Sequence, residues 1–281
     1  MIGAIIGDIV GSRFELNNHK SKSFDLFTND CHITDDSILT IAVAKAIMES
    51  EKILKYSLAS HFKNEDYCKI LKNNTIKYLK EFGNKYPNSG YGGMFRSWLH
   101  KSKTTAYYSF GNGAAMRIGP IGYFARTIDD VYMLSDCVTG VTHNHEEGLK
   151  GAQAIAVAIF LCRCGLHKSE VKNKIEKKYY DLNFTIDEIR DSYTFSPTCQ
   201  HTVPQAIVAF FESTSFEDAI RIAISLGGDS DTIAAMTGSI AQSYYGVPKE
   251  MEEKALTYLD KELRDIYKQW VLFIENKNCL Y

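Results

Sequence analysis

The chain has 281 residues, 45% of them hydrophobic, with no compositional break, which is enough for one substantial core and near the upper size for a single domain. Lysine plus arginine total 32 against 34 aspartate plus glutamate, and the net charge of -2 gives no field that would draw in nucleic acid or an anionic membrane. The seven cysteines are odd in number, contain no C-x-x-C and fall mostly in apolar stretches, which argues against a disulfide framework or a zinc knuckle and suits a cytoplasmic protein.

Taken in chain order, Met1 to Gly11 is apolar but has no basic leader and carries Asp8, so it reads as core rather than as a signal peptide. From Ser37 to Ile53 apolar residues recur at helical spacing, with Leu39, Ala42, Val43, Ala46 and Ile47 opposite Lys45, Glu49 and Lys52. Further helices are predicted at Ser57 to Phe62, Tyr67 to Phe82, Ile128 to Thr139, Glu147 to Cys164, Lys168 to Tyr179, Val203 to Glu212, Phe216 to Leu226, Thr232 to Tyr245 and Pro248 to Phe273. Glu147 to Cys164 is apolar nearly all round, which places it centrally. The longest apolar run, Ala154 to Cys162, is far short of the ~20 residues that span a bilayer, so no membrane partner is expected. No convincing alternating strand appears, and the fold class expected is all-α, in one domain covering residues 1 to 281.

Chemistry concentrates where glycines and acids meet helix starts. In Thr34-Asp35-Asp36-Ser37 two carboxylates stand at the mouth of an apolar helix. Two readings stand there: an N-cap, for which Asp and Ser are usual, or a bound cation, since one cap needs one such residue and neighbouring carboxylates repel. Gly227-Gly228-Asp229-Ser230-Asp231-Thr232 repeats the arrangement before another apolar helix, and recurrence weakens the capping reading. Together the clusters offer carboxylate and hydroxyl oxygens suited to Mg²⁺ or Mn²⁺ in a two-metal site.

Ser109-Phe110-Gly111-Asn112-Gly113 opens a small-residue stretch running to Arg117, able to approach phosphate oxygens or simply to pack closely; it is neither a P-loop nor a dinucleotide fingerprint. Thr142-His143-Asn144-His145 precedes the most apolar helix, and without a third ligand at a metal spacing it reads as a polar cap with one histidine reaching a substrate. In Gly7-Asp8-Ile9-Val10-Gly11-Ser12-Arg13-Phe14-Glu15, a buried Asp8–Arg13 ion pair is expected, with Glu15 left to face a site.

These motifs in this order, G-D-x-x-G-S-x-x-E, T-D-D-S, S-F-G-N-G-A-A-M-R with T-H-N-H, and G-G-D-S-D-T, resemble the ADP-ribosylglycohydrolase family from about Gly3 to Gly246. The resemblance implies a compact all-α fold with a dinuclear Mg²⁺ or Mn²⁺ centre at the base of a cleft that binds ADP-ribose. Matched by motif, Thr34, Asp35, Asp36, Asp229, Asp231 and Thr232 would be the metal ligands, and Glu15 would approach the metals or the leaving group. By the same resemblance Ser109, Gly111, Asn112 and Gly113 would lie along the diphosphate and ribose, with Phe110 against adenine and His143 bonded to the terminal ribose. Gly90, Tyr91, Gly92 and Gly93 would form a second glycine loop near the phosphates. One departure is Ser37, where the family usually has threonine.

The implied activity is metal-dependent hydrolysis at the anomeric carbon of the terminal ribose, through an oxocarbenium-like state, with Glu15, Asp36 and Asp231 the candidate proton-transfer groups. Its substrate would be an ADP-ribosylated protein or small molecule, a nucleic-acid acceptor staying open, and ADP-ribose its product. Two rivals remain: a non-catalytic ADP-ribose-binding module, and a two-metal phosphoesterase that cleaves the pyrophosphate.

Overall fold

A computed structural model describes residues 1–53, 65–102 and 104–278. Its elements run α1 (Ile2–Gly11), α2 (Asp35–Ile53), α3 (Glu65–Lys85), α4 (Gly93–Leu99), α5 (Gly119–Phe124), α6 (Ile128–Thr139) and α7 (Glu146–Arg163). They continue as α8 (Lys168–Lys178), α9 (Ile186–Ile189), α10 (Cys199–Glu212), α11 (Phe216–Ser225), α12 (Ser230–Tyr245), α13 (Lys249–Leu256) and α14 (Lys261–Asn278). The all-α expectation holds: among the described residues no strand forms, and one isolated bridge joins Gly111 to Thr198. The helix expected at 57–62 lies outside the described residues.

The centre of the molecule is the pairing of α1 with α12. Every residue of α1 is buried, and Gly3, Gly7 and Gly11, four apart, lie on its face against α12. A Cβ on Gly3 would sit 2.1 Å from the Gly238 carbonyl oxygen, on Gly7 2.1 Å from that of Ala234, and on Gly11 2.4 Å from the Asp231 Cα. Glycine inside a helix costs about 0.5–1 kcal/mol relative to alanine, so backbone contact with α12 has to offset that cost along the whole stripe. The consequence for the site is direct, because this contact carries Asp8 of α1 to the start of α12. Around the pair pack α2, α7, α10 and α11, with α7 buried from Gly151 to Cys162 apart from Gln153.

The carboxy-terminal segment departs from the expected single helix. It breaks at 257–260 into α13 and α14, where the Asp260 carboxylate accepts from the Leu263 amide at 2.9 Å and from the Tyr86 hydroxyl at 2.7 Å. An aspartate that can cap a new helix and also hold a tyrosine outweighs continuation of an amphipathic pattern. Among the described residues no helix is long and apolar enough to cross a membrane.

Candidate functional site

The start of α2 is capped from another helix. Asp8, fully buried, accepts from the backbone amides of Thr34 and Ser37, each at 3.0 Å, and from the Thr34 hydroxyl at 2.7 Å. Expected as the partner of Arg13, Asp8 has no such contact. Arg13 instead donates to the Thr28 hydroxyl at 3.2 Å and to the Asp25 carbonyl, with its guanidinium over the Phe14 ring. The correction has a physical reason: three donors at a helix start satisfy a buried carboxylate better than one desolvated cation.

Because Asp8 supplies the cap, Asp35 and Asp36 are released from capping. The start of α12 is similar, for Asp229 occupies the N-cap position without a side-chain cap bond. Its carboxylate instead accepts from the Asn112 amide at 2.6 Å. The Thr232 hydroxyl donates to Asp36 at 3.1 Å, and Asp231 accepts from the Thr232 amide at 2.9 Å, so the two acidic clusters meet across the core.

The ligand-type oxygens of Asp8, Asp36 and Asp231 come within 4.8 Å of one another, and so do those of Glu15, Asp229 and Asp231. Among the described residues none of these carboxylates, nor Asp35, is ion-paired to lysine or arginine. Burial pushes the carboxyls of all six above the ordinary range; for Glu15, Asp35, Asp36 and Asp231 neighbouring carboxylates push further, while hydrogen bonds oppose the shift at Asp8 and Asp229. One buried oxygen, Asp36 Oδ1, has no donor among the described residues. Concentrated, desolvated, uncompensated carboxylate oxygen with an orphaned acceptor is the donor set a hard divalent cation takes, so these residues fit such ions. Asp35 stands beside the groups, half-buried, with its amide donating to the Ser89 carbonyl at 2.7 Å. Thr34 lies beneath them, bonded to Asp8 and Asp36.

The turn that presents Asp229 is built on Gly227 and Gly228, both with φ above +70°, a region glycine enters without strain. The loop bearing Glu15 is fastened to this turn. The Asn18 side chain accepts from the Gly228 amide at 2.6 Å, and the Lys20 ammonium donates to the carbonyls of Arg190, Tyr193 and Leu226 at 2.6, 2.8 and 2.7 Å.

Above this floor opens a cleft of about 470 Å³. Its walls include Gly90, Gly92, Gly93, Ser109, Phe110, Gly111, Asn112, Gly113 and His143, and its floor Glu15, Asp35, Asp36, Asp229, Asp231 and Thr232. Tyr91 and Thr34 do not line it; the Tyr91 side chain turns into the core, its ring 5.3 Å from that of Phe95. The wall also holds residues the sequence reading passed over, Tyr107, Tyr108, Phe195 and Thr198, together with Arg117 at the end of the small-residue stretch. Tyr108 takes a left-handed φ of 55°, held by its amide donating to Asn144 Oδ1 at 2.8 Å, and its ring lies 4.7 Å from that of His145. Phe110, 44% exposed, sits 5.2 Å from the same imidazole. His145 is also the expected cap, accepting from the Glu147 amide at 3.1 Å. Asp8 is the main omission from the candidate set, and the signal was available in the four-residue glycine spacing that buries its neighbours.

Fold and site together define a helical protein whose cleft has a carboxylate floor suited to hard cations and glycine-rich walls. The chain belongs to the ADP-ribosylglycohydrolase family, whose model matches residues 1–276. It is 24% identical over 90% of its length to the mouse ADP-ribosylhydrolase ARH3, covering 84% of that protein. It is 30% identical to the ADP-ribosylarginine hydrolase Tri1 of Pseudomonas putida, over 51% of this chain and 42% of that one. A solved ADP-ribosylglycohydrolase-related protein complex shares the fold, with a TM-score of 0.58 at 19% identity, over 94% of this chain and 96% of that one.

Proposed function

We propose that the protein is a metal-dependent hydrolase that removes ADP-ribose from a modified acceptor by cleaving the bond at the anomeric carbon of the terminal ribose, the whole chain acting as one domain. The observation that carries this reading is the pair of carboxylate groups sharing Asp231 beneath the cleft, with no lysine or arginine ion-paired to them among the described residues. Two divalent ions, Mg²⁺ or Mn²⁺, would be held by Thr34, Asp35 and Asp36 on one side and Asp229, Asp231 and Thr232 on the other. Asp8 would hold the Thr34–Ser37 turn in place. Bound cations would supply Lewis acidity and an anchor for ribose hydroxyls.

The chain's own groups would do the rest. Hydrolysis adds a hydroxyl to the anomeric carbon and a proton to the departing acceptor, so a group that exchanges protons near neutrality is required. Glu15, Asp36 and Asp231 are the candidates, since burial and neighbouring carboxylates raise their proton affinity above the ordinary carboxylate range. Glu15 stands on a loop at the cleft edge, half-buried, where an acceptor could approach it. Ser109, Gly111, Asn112 and Gly113 would lie along the diphosphate and ribose, and the Gly90 to Gly93 loop would flank the phosphates, with Tyr91 contributing backbone alone. Phe110 would offer its exposed face to adenine, and His143 would donate to the terminal ribose.

The names of the relatives, an ADP-ribosylhydrolase and an ADP-ribosylarginine hydrolase, support an ADP-ribosylated protein or small molecule as substrate. The test is a time course with ADP-ribosylated arginine and serine peptides, with Mg²⁺, with Mn²⁺ and with chelator, followed by mass spectrometry. Metal-dependent release of intact ADP-ribose is expected. Release of AMP would identify a phosphoesterase instead, and ADP-ribose binding without turnover of either peptide would leave a binding module or another acceptor.

A further inference from the structure

Arg117 is an expensive residue in its position. It is 1% exposed, and its Nε and Nη1 find no acceptor among the described residues. Its guanidinium lies 5.9 Å from the Phe95 ring centre, and it is the one lysine or arginine among the residues lining the cleft. A desolvated cation with unpaired N–H groups weakens the fold unless something else requires it. Its hydrogen bond shows what that is: Nη2 donates to the Thr142 hydroxyl at 2.6 Å.

A guanidinium can only donate, and a hydroxyl has one proton to give. With a lone pair of Thr142 Oγ1 taken by Arg117, the hydroxyl proton has three acceptors in reach, His143 Nδ1 at 2.8 Å, the Thr139 carbonyl at 3.4 Å and the Tyr107 hydroxyl. Given to the 2.8 Å contact, that proton makes Nδ1 the acceptor and puts the ring proton on Nε2; given to Thr139 or Tyr107 instead, it would let Nδ1–H donate to Oγ1, the opposite tautomer, which the test below distinguishes. Nε2 faces the glycine loop: a Cβ on Gly113 would stand 3.5 Å from it and one on Gly111 3.7 Å. The Tyr107 ring lies 5.6 Å from the imidazole between centroids, and the charge acting on the ring is that of Arg117. Burial, and then the Arg117 charge, hold His143 well below the ordinary histidine range, so it is neutral.

We infer that Arg117 and Thr142 are positioning residues, a relay that fixes His143 as the neutral Nε2–H tautomer aimed at the glycine loop, where it donates to a hydroxyl or phosphate oxygen of the bound nucleotide. The inference rests on the reading above that His143 faces the ligand. It accounts for a buried cation that forms no ion pair among the described residues, the pull of Asp35 reaching it without a salt bridge, and it places a specificity device in the second half of S-F-G-N-G-A-A-M-R.

The test is ¹⁵N-histidine NMR of the whole protein, with the His143 signals identified by their loss in His143→Gln. In the wild type they should show the Nε2–H tautomer, unchanged between about pH 5.5 and 8. Thr142→Val, which keeps the shape and removes the hydroxyl, should move the ring toward the Nδ1–H form or make it titrate, and weaken ADP-ribose binding about tenfold in calorimetry. Thr142→Ser should restore both. Arg117→Met should act like Thr142→Val; if it does not fold, the valine and serine pair carries the test alone. Wild-type His143 signals in Thr142→Val would overturn the relay. A tautomer change in Thr142→Val upholds it even where His143→Gln binds ADP-ribose normally, a result that sinks only the reading of His143 as a ligand donor.

Discussion

Asn112 donates to Asp229 at 2.6 Å, both side chains buried, and thereby ties the glycine-rich wall of the cleft to its acidic floor. The bond spans 117 residues of sequence and couples two sites that the motifs present separately. Removing it frees one carboxylate and cuts the loop's tie to the floor, while its bonds to Pro197 and Cys199 remain. Asn112→Ala is therefore expected to weaken both Mn²⁺ and ADP-ribose binding in calorimetry, each by about tenfold, the worth of one hydrogen bond to a charged group. Loss of one affinity with the other intact would show that wall and floor act independently.

Asp36 and Asp231 belong to the acidic groups, and Asp231 to both. Asp36→Asn and Asp231→Asn keep side-chain shape while removing a charge that nothing else in the protein balances. Turnover is expected to fall by orders of magnitude with the helical circular dichroism unchanged, and the metal-free variants should melt at or above the wild-type temperature because repulsion is relieved. Near-normal turnover at saturating substrate and metal would falsify the assignment of this site.

The same charges set how stability varies with pH. Six carboxyls have folded-state pKa values above their unfolded ones, from burial first and from neighbouring carboxylates in four of them. A group of that kind binds its proton more tightly when folded, so its stabilisation is complete below the ordinary carboxylate range and is lost as pH rises through the raised value. His143 works the other way, its folded value being lowered: it favours the fold above the ordinary histidine range and loses that contribution as pH falls. The buried amino terminus, pushed down from 8.0 to about 5, works the same way as His143. Set against these two, the six carboxyls should make Mn²⁺ raise the melting temperature much more near about pH 8 than near about pH 5, because only at the upper end are the carboxylates free of protons. Calorimetric melts with chelator and with Mn²⁺ at both pH values check this. An equal metal increment at each would mean that the carboxyls do not compete with protons for the ion.

Gly7 lies on the stripe that brings α1 onto α12. A Cβ there meets the Ala234 carbonyl at 2.1 Å, and backbone cannot swing aside as a flexible side chain would. Gly7→Ala is expected to destabilise by about 3 kcal/mol and, by pushing Asp8 away from the start of α2, to weaken metal binding as well. Urea unfolding together with a metal titration reads both effects. A stable variant with weak metal binding would separate the packing role of the stripe from its positioning role.

Local pattern carried most of the architecture. The 3.6-residue period in Ser37 to Ile53, Ile128 to Thr139 and Glu147 to Cys164 has the same physical origin as the helices, burial of one face, so α2, α6 and α7 were readable to within a few residues. The acidic doublets were readable too, as charge placed where a helix begins. What a linear chain does not display is which distant group satisfies which. At the Asp35–Asp36 doublet a cap and a cation both stood open until Asp8 arrived from α1 to do the capping; Arg13 looked like the partner of Asp8 until the Thr28 hydroxyl and the Asp25 carbonyl accepted it. Tyr91 stood among cleft glycines yet turns inward, because only the packing of α4 decides which face of the loop is wet. The break before α14 depends on Tyr86 meeting Asp260, and the state of His143 on Arg117 and Thr142. Residue type and spacing thus determined the helices and the kind of chemistry, both short-range properties of the chain. Tertiary structure decided the assignment of each buried donor, acceptor and charge, since desolvation makes every such group need a partner and only the folded chain brings the partners together.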